Sequence, residues 1–124
     1  MMQILFIAVG GALGAVLRYA VSNGVYAITG RDFPYGTLTV NVVGSLLMGL
    51  LYVLLVERIA FAAEWRAFLL LGVLGAFTTF STFSIETLLL IENGAPARAL
   101  LNMLLSVSLC VLATWVGVVS ARQL

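Results

Sequence analysis

The 124-residue sequence is 63% hydrophobic and 9% charged, with a mean hydropathy of +1.18. Because a soluble domain carries about 25% charged residues, this composition is typical of an integral membrane protein. The formal net charge of +1 argues against a polybasic surface, so we expect no nucleic-acid partner. The absence of His and the single Cys exclude an internal disulfide and a metal site of the Cys/His kind.

Four long apolar stretches cover most of the chain and leave no room for a separate soluble domain. They predict an all-α membrane protein with a single four-helix transmembrane domain over residues 1–124. The first stretch has no basic residue ahead of it and continues through Arg18, so we expect no cleaved signal peptide. The predicted spans are Ile4–Ile28, Phe33–Val56, Ala67–Ile91 and Ala99–Ala121.

In the first span, Gly10, Gly14 and Arg18 recur every fourth residue and therefore share a face of the helix. Small residues at this spacing allow another helix backbone to approach closely. Arg18 has two interpretations. It extends to a lipid headgroup, or it lines a wet vestibule that attracts anions, since charges within a membrane usually face water or a partner.

The second and fourth spans each carry a polar stripe on an otherwise apolar helix. Asn41 belongs to the first stripe, and its amide either bonds a neighbouring helix or donates to a passing anion. Interhelical hydrogen bonds in membranes average about 0.6 kcal/mol, so adhesion alone is a weak reason for so many polar residues. We therefore favour a wet or ion-bearing seam. The stripes are Thr37, Asn41 and Ser45, and then Asn102, Ser106, Cys110 and Thr114.

The third span differs from the others in its middle. Gly72 and Gly75 precede Phe77–Ser84, in which hydroxyl and aromatic residues alternate. Glycine carries an entropic cost in a helix, and Ser and Thr side chains compete for backbone carbonyls, so we predict a break here. Unwound backbone at bilayer depth needs burial or water, and its carbonyls can bind a cation while hydroxyls and amides bind an anion. The pattern predicts an ion site.

The predicted connections are a turn over 29–32, a loop over 57–66 and a turn over 92–98. Four spans alternate sides, which places three arginines on one face and two on the other, with Arg18 unassigned. So small a bias permits insertion in both orientations. Four short helices also enclose little space, so we predict an antiparallel dual-topology homodimer. The two sets are Arg58, Arg66 and Arg122, and then Arg31 and Arg98.

The motif Gly72-Val-Leu-Gly-Ala-Phe-Thr-Thr-Phe-Ser-Thr-Phe-Ser-Ile-Glu86 resembles the signature of the Fluc/CrcB family of fluoride channels. The first-span glycines with Arg18, and the Gly-Thr-Leu-x-x-Asn that ends at Asn41, also match that family. The resemblance covers all four spans in order. It implies a multi-pass protein of the cell (inner) membrane that forms dual-topology dimers in the lipid bilayer. Two pores per dimer would pass fluoride passively out of the cytoplasm and lower intracellular fluoride.

The resemblance also implies roles for single residues. One central Na⁺, structural and not transported, would be held by the backbone carbonyls of Gly75 and Thr78. Phe80 and Phe83 match the pore phenylalanines and Asn41 the pore asparagine. The hydroxyl-rich part of the pathway would be Ser81, Thr82 and Ser84. The vestibule and polar track would contain Arg18, Glu86, Asn102, Ser106 and Cys110, although relatives often carry Tyr, His or Ser on the fourth helix.

The chemistry of these residue types agrees with fluoride. A small, strongly hydrated anion needs close donors, and an aromatic ring is positive at its edge. A small four-helix dual-topology multidrug/proton exporter is the alternative, but it would need a carboxylate in the first span, which has none. A fluoride/proton exchanger is disfavoured because Glu86 is the one acid deep in a span. An accessory subunit would not explain the third span, and no catalytic combination of side chains indicates an enzyme.

Overall fold

The computed structural model describes residues 1–59 and 61–124, and this part of the chain is helical apart from short connections and two extended residues within the third long helix. Each of the four helices is long and apolar enough to cross a membrane, which confirms the predicted all-α architecture with four spans. The helices are α1 (Met2–Thr29), α2 (Tyr35–Arg58), α3 (Ala63–Glu92) and α4 (Pro96–Arg122).

The connection between α2 and α3 is shorter than the loop predicted over 57–66. Glu57 and Arg58 still belong to α2, and α3 begins at Ala63. The charges at the end of α2 are accommodated because Arg122 donates to the Glu57 carboxylate at 3.0 Å and Arg58 donates to the Arg122 carbonyl. Ala60, which the predicted loop included, lies outside the described residues.

α1 packs against the first half of α3 with the two backbones in contact. A Cβ atom built on Gly14 would lie 2.1 Å from the Val73 carbonyl oxygen, and one built on Gly10 would lie 2.5 Å from the Phe68 carbonyl oxygen. Neither glycine could therefore carry a side chain without moving α3. This confirms the prediction that the small face of the first span admits another helix.

α2 and α4 form the other close pair. A Cβ on Gly49 would collide with the Thr114 carbonyl, and one on Gly117 with the Leu46 carbonyl. The Thr114 hydroxyl contacts the Ser45 carbonyl at 3.1 Å across the same interface. Glycines from both helices therefore bring the two polar stripes close to each other.

α3 changes geometry four times along its length. It starts as α-helix over Ala63–Arg66, continues as π-helix over Ala67–Leu74, and returns to α-helix for Gly75–Phe77. Thr78 and Thr79 then adopt extended backbone, with ψ values of 158° and 123°. The α-helix resumes over Phe80–Glu92. The extended pair divides α3 into two helical halves and interrupts its ladder of backbone hydrogen bonds.

Most apolar side chains remain on the outside of the single chain. Val16, Val107 and Val111, for example, each expose 62–66% of their surface. The tightly buried residues are few, and Val40, Val53 and Asn102 are the largest side chains that are fully buried. A surface of this kind is expected for helices that contact lipid or a second protein.

Candidate ion site

A groove of about 370 Å³ opens between α2, the middle of α3 and α4, with the extended residues of α3 in its wall. It is built around the polar stripes of α2 and α4, because the close α2–α4 packing brings them together. Its lining residues are Asn41, Gly44, Ser45, Met48, Thr78, Thr79, Phe80, Phe83, Ser106, Val107, Cys110, Val111 and Thr114.

About half of the residues predicted for the site line the groove. Of the other predicted residues, Gly75, Ser81, Thr82 and Ser84 lie on α3 next to the groove, and three more do not line it. Those three are Arg18, Glu86 and Asn102. The predicted residues that line the groove are Asn41, Thr78, Phe80, Phe83, Ser106 and Cys110.

Asn41 holds the backbone of Thr79 with both ends of its amide. Its Nδ2 donates to the Thr79 carbonyl at 3.0 Å, and its Oδ1 accepts from the Thr79 amide at 2.7 Å. The structure thus shows the helix-to-helix bond that the sequence left as one of two interpretations. An amide nitrogen carries two hydrogens, and among the described residues the second hydrogen on Nδ2 meets no acceptor.

Thr79 also begins the second half of α3, a role that the sequence analysis missed. Its Oγ1 accepts from the Thr82 amide at 3.2 Å and donates to the Thr82 hydroxyl at 3.1 Å. This is an N-cap, in which a side-chain oxygen satisfies an amide at the start of a helix. The signal was present, because a threonine directly before a helical run is a typical cap.

At the break, two backbone amides do not make the hydrogen bonds of a continuous α-helix. In a continuous helix, the Thr79 amide would donate to the Gly75 carbonyl and the Thr82 amide to the Thr78 carbonyl. Here the first donates to Asn41 and the second to the Thr79 side chain. The carbonyls of Gly75 and Thr78 therefore lose the donors that a helix would supply.

Arg18 reaches the same region from α1. Its Nε donates to the Ala76 carbonyl at 3.0 Å, in the last helical turn before the extended residues. The side chain is half-buried. The bond draws the guanidinium toward α3, and the vestibule role of Arg18 stays a prediction.

Phe80 and Phe83 lie side by side at the start of the second half of α3. Their ring centroids are 5.2 Å apart, and the rings are tilted by 45°. Phe80 exposes 76% of its surface, which is unusual for a side chain in the middle of a folded span. In the isolated chain, this ring projects from the wall of the groove.

The predicted fourth-helix track divides into two parts. Ser106 and Cys110 line the groove, but Asn102 is 1% exposed and bonds to the Thr87 hydroxyl of α3 at 2.9 Å. The Ser106 hydroxyl donates to Asn102 Oδ1 at 3.3 Å. Asn102 thus connects α4 to the second half of α3.

Glu86 lies in a separate cavity of about 260 Å³ near the α1–α2 connection. Tyr26 donates to one carboxylate oxygen at 2.8 Å and Thr37 to the other. The Arg31 guanidinium lies over the Tyr26 ring, 4.4 Å from its centroid. The carboxylate is therefore held by two hydroxyl groups within the protein, beside a cation at the cavity wall.

These observations define a polytopic helical membrane protein with a polar site at an interruption of its third span. The chain belongs to the CrcB family. Residues 5–118 match the family described as CrcB-like protein, Camphor Resistance (CrcB). The family match gives no support to the small multidrug/proton exporter that the sequence left as the alternative.

Relatives named "Fluoride-specific ion channel FluC" agree with this membership. The protein from Magnetococcus marinus is 56% identical over 98% of both chains, and that from Coxiella burnetii strain Dugway is 52% identical over 99% of this chain and all of the relative. A Methylococcus capsulatus relative is 61% identical over 95% of this chain. The chain spans about half, 52%, of the length of that relative.

Proposed function

We propose that this chain forms a fluoride-selective channel in the cell membrane, which passes fluoride passively out of the cytoplasm and lowers its concentration there. Two results support this function together: the curated relatives of nearly equal length carry that name, and the groove combines an amide donor with two aromatic rings beside an interrupted helix. The groove at the break of α3 is the structural observation on which this proposal mainly depends. On this basis the protein is a channel and not an enzyme.

The hydrogen-bond pattern suggests how a small anion is recognised. Five hydroxyl groups line the groove, and those of Thr78, Thr79, Ser106 and Thr114 already contact acceptors within the protein. The Ser45 hydroxyl, the second Nδ2 hydrogen of Asn41 and the ring edges of Phe80 and Phe83 then supply the positive contacts. Because these contacts are few and weak, the ion can bind and still leave, as conduction requires.

The backbone around the extended residues fits the structural Na⁺ that the family resemblance implies. Na⁺ is a hard cation, and the carbonyl oxygens of Gly75 and Thr78 are oxygen donors whose helical partners have been diverted. Among the described residues, no three His, Cys, Asp or Glu side chains come together, so backbone oxygens are the suitable donors. When bound, the ion supplies a fixed positive charge that raises the local potential for an anion.

We further propose an antiparallel dual-topology homodimer with two pores. Arg18 bonds within the membrane span, so the orientation depends on three arginines against two, which is close to balance. The highly exposed Phe80 ring and the open groove also favour a second copy on this face. To test the orientation, Gln123→Cys in a Cys110→Ala background is labelled with a membrane-impermeant thiol reagent in intact cells. Dual topology predicts that about half of the chains react, and labelling of all or none contradicts it.

The function is tested with purified protein in liposomes loaded with potassium fluoride or potassium chloride. Valinomycin releases the potassium, so the appearance of the anion outside reports the channel. We expect fluoride efflux with chloride retained. Efflux of both anions at equal rates would contradict fluoride selectivity, and no efflux of either would contradict a channel.

A further inference from the structure

Two side-chain oxygens at the break of α3 each accept a hydrogen bond from a backbone amide that would donate to a backbone carbonyl in a continuous helix. Asn41 Oδ1 takes the Thr79 amide at 2.7 Å, and Thr79 Oγ1 takes the Thr82 amide at 3.2 Å. A third group, the Arg18 guanidinium, covers the Ala76 carbonyl at 3.0 Å. The carbonyls at the break therefore differ in their hydrogen bonds. The Ala76 carbonyl accepts from Arg18, whereas the carbonyls of Gly75 and Thr78 lack the backbone amides that would bond to them in a continuous helix.

We infer that Asn41 and Thr79 are positioning residues for the cation site, since their side chains keep the carbonyls of Gly75 and Thr78 available to Na⁺. This inference rests on the proposed function and deepens it, because it assigns to Asn41 a task that is separate from contact with fluoride. The Asn41 amide can do both. Its Oδ1 and one Nδ2 hydrogen bond to Thr79, and the other hydrogen points away from that pair.

The physical reason is competition for the same oxygens. If Oδ1 or Oγ1 is removed, the released amide in a low-dielectric environment gains by donating to the carbonyl four residues earlier, since an unsatisfied amide is costly there. The helix then gains one backbone hydrogen bond across the break. A carbonyl engaged in that bond is a poorer and differently directed ligand, so the affinity for Na⁺ falls.

The test uses isosteric pairs of variants and measures Na⁺ binding instead of flux. Thr79→Val removes Oγ1 at nearly constant shape, and Thr79→Ser restores it. Asn41→Leu removes both amide bonds, and Asn102→Leu is its matched control, because Asn102 also bonds α3 through an amide but lies away from the break. For each purified dimer, thermal unfolding is followed while Na⁺ replaces N-methylglucamine at constant ionic strength.

We expect Thr79→Val and Asn41→Leu to raise the half-maximal Na⁺ concentration for stabilisation by about tenfold, in line with the loss of one well-placed hydrogen bond. Thr79→Ser and Asn102→Leu should keep the parental midpoint, even though Asn102→Leu lowers stability at every Na⁺ concentration. Parental midpoints in both Thr79→Val and Asn41→Leu would overturn the inference and leave the channel proposal intact. If Asn41→Leu does not fold, Thr79→Val against Thr79→Ser decides alone.

An unmodified protein that is not stabilised by Na⁺ would overturn both the cation site and this inference. The fluoride efflux measurement is independent of that result. Failure of the channel proposal is therefore distinguished from failure of the positioning role.

Discussion

The side chain of Arg18 on α1 donates from its Nε to the main-chain carbonyl of Ala76 on α3, 3.0 Å away and two residues before the extended backbone. A charge within a membrane span is expensive unless it finds a partner. The Ala76 carbonyl is such a partner, and it would itself lose its helical donor at the break. Each group therefore compensates the other, and the arginine couples the first span to the interruption in the third.

Replacing Arg18 by Leu is expected to lower both stability and fluoride flux. The change leaves the Ala76 carbonyl without its donor, which costs about 1–3 kcal/mol for a buried polar group, and it removes a positive charge near the groove. Arg18→Lys should recover part of the stability, because an ammonium group also donates. Thermal unfolding and liposome efflux measure the two effects. The control is Arg31→Leu, at a distance from the break, and an equal loss in both leucine variants would argue against a specific role for Arg18.

Substitution of Phe80 or Phe83 by Ile is expected to slow fluoride efflux at least tenfold. A branched aliphatic side chain has no positive ring edge for the anion. The loss of one contact of about 1–2 kcal/mol lowers a rate by about this factor. The dimer should still assemble, as checked by size-exclusion chromatography. Phe6→Ile is the matched control, since Phe6 packs on Trp65 with centroids 5.3 Å apart and lies outside the groove. Unchanged flux in both groove variants would remove the two rings from the pathway.

Gly14→Ala is expected to destabilise the protein by about 1–3 kcal/mol, as overpacking of a close interface usually does. The added methyl group would collide with the Val73 carbonyl, and α3 would have to move away from α1. Gly11→Ala provides the control at the neighbouring position, where a Cβ meets nothing within 4 Å. Unfolding in detergent measures both variants. Equal stabilities of the two would show that α1 and α3 are not in backbone contact at Gly14.

Asn102→Ala is expected to destabilise the protein while leaving fluoride flux per folded dimer close to parental. Asn102 is 1% exposed and accepts from the buried Ser106 hydroxyl, so its loss leaves that hydroxyl without its acceptor, at a cost of about 1–3 kcal/mol. The two quantities are measured on the same preparation, by thermal unfolding and by efflux normalised to dimer content. Strong loss of flux with unchanged stability would return Asn102 to the polar track that the family resemblance implies.

The spans of this protein could be predicted because hydropathy and length determine them almost alone. The small face of α1 was equally readable, since Gly10 and Gly14 have no other reason to recur every fourth residue. The helical ends near residues 57–66 were harder to predict. Glu57 and Arg58 look like loop residues until Arg122, far along the chain, is seen to bond them.

The partners within the site could not be predicted, because they are distant in sequence. The polar run in the third span indicated where backbone groups would be exposed. Nothing in it shows that Arg18 donates to the Ala76 carbonyl or that Asn41 bonds to the backbone of Thr79. Spacing likewise placed Asn102 in one stripe with Ser106 and Cys110. Their different surroundings depend on α3, whose second half covers Asn102 and leaves the other two in the groove.

A fluoride channel requires that the groove at the break of α3 conducts fluoride and excludes larger anions. This requirement is tested most directly by recording purified protein in a planar bilayer with fluoride on one side and an equal concentration of chloride on the other. We expect a current that reverses close to the limiting potential for a membrane permeable to fluoride alone, and we expect this current to fall at least about tenfold in the Phe80→Ile variant. A current that reverses at zero potential, or one that Phe80→Ile leaves unaltered, would contradict the channel proposal.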